Sequence, residues 1–323
     1  IDLLVARDPK IRILRYVLVL GLLFNSLFAC GLVVSSISSY PHHRDFIQEY
    51  LSSRALKDGV NPYSPVAELA ERFEPDIPIP TFPHPTPHPP PVLILAFPLA
   101  WLTLQSASYV WLLFELICLG MATFLLFRLT GRTRPLHLLV FFFLLLGWHP
   151  VWKDLILGQL GSLLLLLLTG LVFAAQREGR RSVGFLLGSV MAMKLIGWPI
   201  ALFYLIRKKW DIVFIAGGTF LGWNLLASVL CGPGTVLAYY LEVGRNIAPL
   251  YRAHEENFSL WTLGWRLFEG TGSPVLEGMT APPLLSLPGM APLVSVLICI
   301  TALVLGLRLA IRSNDGTTSL AIL

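Results

Sequence analysis

Residues 16–37, YVLVLGLLFNSLFACGLVVSSI, contain no charged side chain, and runs of the same character recur down the chain. A helix needs about 20 apolar residues to cross the hydrocarbon of a bilayer, and this run has that length. Only 13% of the 323 residues are charged and 55% are hydrophobic, so there is too little polar surface to cover such runs in water. The runs are far longer than a spanning strand requires, which selects helices over a β-barrel. The expectation is an all-α polytopic membrane protein.

Charge gives the topology. The formal net charge is +5, and the basic residues gather in short connections, a pattern that orients membrane helices rather than one that grips nucleic acid. Arg7, Lys10, Arg12 and Arg15 precede the first run and set its start in the cytoplasm. That run is too long for a signal-peptide core and reads as a retained first helix. The loops RLTGRTR (128–134), QREGRR (176–181) and RKKW (207–210), with Arg308 and Arg312, then also fall inside. The alternation holds if VLILAFPLAWLTL (92–104), thirteen residues long, is a half-helix or re-entrant segment that does not cross. The elaborated polar pieces all fall outside: the loop 38–91, the insert 149–162, the Gly-Trp-Pro break at 197–199, and the stretch 231–290. Broken helices at membrane depth line protein-enclosed cavities, so this face is where the protein works. Residues 1–323 read as a single transmembrane domain and as a piece of a longer protein, beginning at Ile rather than Met. The four cysteines are scattered and imply neither a disulfide framework nor a metal knuckle.

The outer loop opens with HHRDFIQEY (42–50). Asp45 is open to two readings: a solvated loop aspartate or helix N-cap, or a general base at the membrane boundary, where reduced solvation raises a carboxylate's proton affinity. The following RDFIQEYLSSRAL has apolar residues spaced for an amphipathic helix lying on the bilayer, with Asp45 near its start. KDGVNPYSP (57–65) is a turn. PTFPHPTPHPPP (80–91) cannot be helical and reads as a stiff strap. Its His84 and His88, with His42 and His43, form either a metal-ligand set or histidines near a phosphate; no carboxylate–histidine spacing matches a known metal site. Gln159, between two glycines in LILGQLGSLL, is either glue between helices or a substrate contact. Lys194 is an ionisable residue within an apolar run, a functional candidate by default, and either holds a phosphate or snorkels to the boundary. AHEENFSLWTL (253–263) offers His254, Asn257 and Ser259, the last two also fitting a glycosylation sequon. No phosphate loop, dinucleotide fingerprint or Gly-Xaa-Ser-Xaa-Gly elbow is present. A sugar donor handled here is therefore expected to be lipid-borne.

Taken together, RDFIQEYLSSRALKDGVNPYSP, HPPPVLILAFPLAWL, LILGQLGSLLLLLL, AMKLIGWPIALFYLIRKKW and ENFSLWTL resemble glycosyltransferase family 87, in the family's order, over about residues 40 to 265. The resemblance implies a helical bundle of the GT-C type and transfer of a hexose, foremost mannose, from a polyprenyl-phosphate donor to a glycolipid or glycan hydroxyl with inversion. It implies an extracytoplasmic site in a bacterial plasma membrane, with no cofactor or metal. Asp45 occupies the place of the family's general base. Gly59 to Tyr63 match its Gly-Xaa-Pro-Tyr turn with one extra residue, and His88-Pro89-Pro90 stand where the family has Tyr-Pro-Pro. Gly158-Gln159, Lys194 with Pro199, and Asn257 with Ser259 match the remaining elements, and the family's usual C-terminal helices are missing. Lys194, Gln159 and His254 are the candidates for the departing phosphate, and His88, Tyr63 and Asn257 for substrate contacts. Rival readings are another polyprenyl-phosphate sugar, a lipid or solute transporter, and a non-catalytic subunit. A transporter of this kind would show two similar halves, and no repeat is visible.

Overall fold

The computed structural model describes residues 9–76, 82–131, 135–254, 257, 259–272 and 279–313. Arg7, strap residues 80–81, and Arg132 and Arg134 of the first basic loop lie outside these. The described chain is helical: α1 (Pro9–Ser39), α2 (Phe46–Lys57), α3 (Val66–Phe73), α4 (Pro90–Ala96), α5 (Leu104–Leu129), α6 (Pro135–Leu146), α7 (His149–Leu157), α8 (Gly161–Gln176), α9 (Arg180–Met193), α10 (Trp198–Ile206), α11 (Trp210–Cys231), α12 (Pro233–Ala238), α13 (Gly244–Ile247), α14 (Thr262–Phe268) and α15 (Met290–Arg312). Among the described residues the only β feature is an isolated bridge between Thr271 and Ala281.

Four of these helices are long and apolar enough to cross a membrane: α1 from Tyr16, α5, α11 and α15. The pair α6 and α7 reaches that length only together and is bent by 68°. The protein is an all-α, multi-pass membrane protein. The segment expected to stop short of crossing is α4 continued by a 3-10 turn (Phe97–Trp101). Its twelve residues rise about 18 Å, well under the roughly 30 Å of hydrocarbon. The break expected at Gly-Trp-Pro falls three residues earlier. α9 ends at Met193, Lys194 is extended (φ −158°, ψ 129°), a 3-10 turn covers Leu195–Gly197, and Pro199 then sits in the first turn of α10, where its missing N–H costs nothing.

The chain forms two compact units. The first comprises Ile1–Ile47 and Leu102–Gly170. Its core joins α1, α5, α6 and α7 through Val33, Ile37, Leu112, Leu119, Leu146 and Leu155. The second comprises Gln48–Trp101 and Leu171–Leu323. Its most closely packed pair is α9 against α11. Gly184 and Gly188, four residues apart, lie on the contact, and a Cβ on Gly188 would stand 2.4 Å from the Ala216 carbonyl oxygen. Lipid tails are as apolar as leucine, so helices in a bilayer associate through such close backbone approach. Trp223 adds a hydrogen bond from Nε1 to Ser189 Oγ, 3.1 Å.

The helix expected to lie on the bilayer is present as α2, and its first part is packed inside the protein. Every residue from Phe46 to Ser53 is buried. Two of its polar positions find partners inside the protein: Glu49 accepts from Thr86 Oγ1 at 3.2 Å, and Tyr50 donates to Glu74 at 3.1 Å while accepting from Arg54 at 3.1 Å. Gln48 Oε1, Ser52 Oγ and Ser53 Oγ are buried without a partner among the described residues.

Candidate functional site

The first unit builds its polar centre around the end of α7. A helix leaves its last carbonyls unpaired and partly negative. Here Arg44, in the link before α2, meets them: Nε donates to Ile156 O and Nη2 to Leu155 O, each at 2.7 Å, while Nη1 reaches Ser108 O on α5 at 3.4 Å. The planar fork of arginine suits this double capture, which lysine would not reproduce. Arg44 is fully buried, and its charge is countered by the equally buried Glu115 of α5 at 3.7 Å. Burial pulls the guanidinium below its ordinary proton affinity, and the carboxylates of Glu115 and then Asp45 pull it back.

The backbone beyond α7 turns at Gly158, in the left-handed region (φ 71°, ψ 40°). A side chain is excluded there twice over, since a Cβ would lie 2.8 Å from Phe46 Cβ and 2.9 Å from Arg44 Nη2. Trp111 of α5 fixes the turn by donating Nε1 to Gly158 O at 2.9 Å, and its ring stacks on Phe46 with centroids 5.0 Å apart. The next residue is therefore aimed. Gln159 Nε2 donates to Asp45 Oδ2 at 2.6 Å. Two candidates 114 residues apart in sequence are brought together, and the amide fixes the orientation of the carboxylate. An oriented, half-buried carboxylate is suited to receive a proton from a hydroxyl.

In the second unit the strap is locked onto the turn and helices that flank it. Tyr63 OH donates to His88 O at 2.9 Å, and Tyr239 OH to Pro87 O at 2.7 Å; the two rings pack at 5.2 Å. Burial, and after it the neighbouring Tyr239, push the Tyr63 phenol well above its ordinary value, so it serves as a neutral donor. His88 Nδ1 is bonded to the buried Glu49 carboxylate. His84 is held by Pro85 O at 2.7 Å and by Tyr251 OH at 2.8 Å. In the first unit, the His42 and His43 rings pack tilted at 42° with centroids 4.4 Å apart. Among the described residues no three His, Cys, Asp or Glu side chains are arranged to hold a metal ion. Lys194 is exposed at the break after α9. Asn257 spends its amide on its own loop, donating to Tyr251 O at 2.8 Å and accepting from Ser259 N at 3.2 Å. His254 lies in the same loop, its carbonyl bonded by Arg266 at 3.3 Å.

Sequence reasoning passed over Arg44, Glu115 and Trp111. Glu115 carried a signal: it is the lone carboxylate in the apolar run YVWLLFELICLG, and an ionisable residue within a span has a partner or a function. Arg44 carried none, because its role depends on where a helix end 111 residues away arrives.

The model of glycosyltransferase family 87 matches residues 87–323. The chain belongs to glycosyltransferase family 87. As a member it is a membrane glycosyltransferase, with a sugar donor and an acceptor. The family 87 match includes His88, Gln159, Lys194, His254 and Asn257, whereas Tyr63 and Asp45 lie before its first residue. No curated protein and no solved structure matches the chain.

Proposed function

We propose that this family 87 enzyme transfers mannose from a polyprenyl-phosphate donor to a hydroxyl of a lipid or glycan acceptor, at the extracytoplasmic face of a bacterial plasma membrane and with inversion at the anomeric carbon. Asp45 is the general base. The observation that carries this is the Gln159–Asp45 hydrogen bond of 2.6 Å, which gives the carboxylate one fixed direction. The acceptor oxygen attacks the anomeric carbon from the face opposite the phosphate. As the new C–O bond forms, the hydroxyl proton passes to Asp45. The bond from the anomeric carbon to the phosphate oxygen breaks, and its electron pair leaves with the polyprenyl phosphate. That leaving group gains negative charge and is stabilised by fixed donors in a partly dried site. From the chemistry of their side chains, Lys194 and His254 are proposed to serve it. Mannose rests on the family resemblance, and a lipid-linked donor also on the lack of any nucleotide-binding motif in a chain of membrane helices.

The test is a donor panel with purified enzyme in liposomes and a lipid extract of the host as acceptor pool. Polyprenyl-phosphate mannose should yield product while guanosine diphosphate mannose and polyprenyl-phosphate glucose do not, and the product's anomeric configuration should be opposite to the donor's. Transfer from the nucleotide sugar would overturn the lipid-donor reading. Movement of donor across the membrane with no product from any sugar would favour a transporter.

A further inference from the structure

The second unit contains a buried carboxylate–imidazole pair that the proposed chemistry leaves unassigned. Glu49 of α2 is 2% exposed, and it accepts from both Thr86 Oγ1 at 3.2 Å and His88 Nδ1. Both groups come from the strap, whose backbone is pinned on each side of the ring: Thr86 Oγ1 accepts from His88 N at 3.4 Å, Tyr239 holds Pro87 O, and Tyr63 holds His88 O. The prolines around His88 leave the backbone little freedom of its own. With Nδ1 committed to Glu49 the tautomer and the plane of the ring are set, as a carboxylate sets the orientation of a histidine in catalytic and metal sites. The His88 side chain keeps 16% of its surface while Glu49 keeps 2%, so the pair reaches the surface through the imidazole, and Nε2 is the ring nitrogen not spent on Glu49. In the protonated ring that atom is a charged N–H donor held in a fixed direction, and such donors bind phosphate oxygens most strongly.

We propose that His88, oriented by Glu49, binds the phosphate group of the lipid donor through Nε2, and that Glu49 acts as a positioning residue through it. This deepens the function proposed above and rests on its phosphate-linked donor.

Binding is measured directly, without turnover, by displacement of a fluorescent prenyl phosphate from the full-length protein in detergent. Prenyl phosphate, prenyl alcohol and inorganic phosphate are the competitors. The wild type should prefer prenyl phosphate to the other two. H88N and E49Q should each weaken it about ten-fold or more and leave prenyl alcohol unchanged. In the H88N background E49Q should add little, because the carboxylate acts only through the ring. Melting curves show whether each variant is folded. A second measurement needs no variant: carbethoxylation of His88 in the wild type, followed by peptide mass spectrometry, should be slowed by prenyl phosphate and not by prenyl alcohol. Equal prenyl phosphate binding in folded H88N, or a His88 whose modification ignores the ligand, would overturn the assignment while leaving the lipid-phosphate donor standing. Inorganic phosphate competing as well as prenyl phosphate would make this a plain anion site and overturn the donor assignment. A wild type that does not distinguish prenyl phosphate from prenyl alcohol would overturn the donor reading itself.

Discussion

Arg44 and Glu115 bear on the residue scale because neither touches a proposed substrate, yet both decide where Asp45 stands. Arg44→Met should remove the bonds to Leu155 O and Ile156 O and leave Glu115 buried without its counter-ion, the most costly way to break such a pair, about 3–5 kcal/mol. The combined Arg44→Met, Glu115→Leu variant should recover much of that stability, because no buried charge is then left over. It should not recover activity, because the link carrying Asp45 loses its tie to the end of α7. Melting curves beside transfer rates on the three proteins check this; full activity in the double variant would show that Arg44 serves stability alone. Gln159→Leu tests the other contact. It should keep the fold and lower the transfer rate about ten-fold, the scale of one lost orienting hydrogen bond.

At the scale of elements, the turn between α7 and α8 aims Gln159 at the proposed base, and the proline strap carries His84 and His88. Gly158→Ala asks a side chain to take φ 71° and to sit within 3 Å of Phe46 and Arg44, so it should cost roughly 1–3 kcal/mol and most of the activity. Gly217→Ala, on α11 with open space around it, is the matching control and should change neither. For the strap, burial holds His84 below the ordinary histidine value of 6.5, although the contact with Pro85 O opposes this. A lowered value means that the folded protein favours the neutral ring. Its contribution to stability is therefore present above about pH 6.5 and is lost as pH falls through the lower folded value. The melting temperature should drop between pH 7 and pH 5, and His84→Gln should flatten that drop; parallel curves would contradict the assignment. Much at this scale was legible in the sequence. The spans follow from apolar length, the half-length of α4 from a thirteen-residue run, and a break from Gly-Trp-Pro, although it falls three residues earlier, at Lys194. What stayed hidden was burial. The spacing in RDFIQEYLSSRAL predicts a helix with a wet face, and nothing local says that Glu49 will meet a strap 37 residues away. The Asp45–Gln159 pairing was half visible: both residues stood out, but their contact needs the bend after α6 and the left-handed turn at Gly158.

On the scale of the whole molecule, the proposed arrangement places the polar loops outside and the basic connections inside. In a cysteine-free background, Asp58→Cys should react with a membrane-impermeant maleimide on intact cells, and Glu178→Cys only after permeabilisation. Both residues are exposed, so neither label is limited by burial. The opposite pattern would invert the topology and move the proposed site to the cytoplasm. The measurement that tests the central claim most directly is transfer from radiolabelled polyprenyl-phosphate mannose by the wild type and by Asp45→Asn, both reconstituted in liposomes. A general base contributes about 10²- to 10⁴-fold, and the variant should lose at least that much of the rate while still binding the donor. Undiminished transfer by Asp45→Asn would show that the proton goes elsewhere and that the Gln159–Asp45 bond is not part of the reaction.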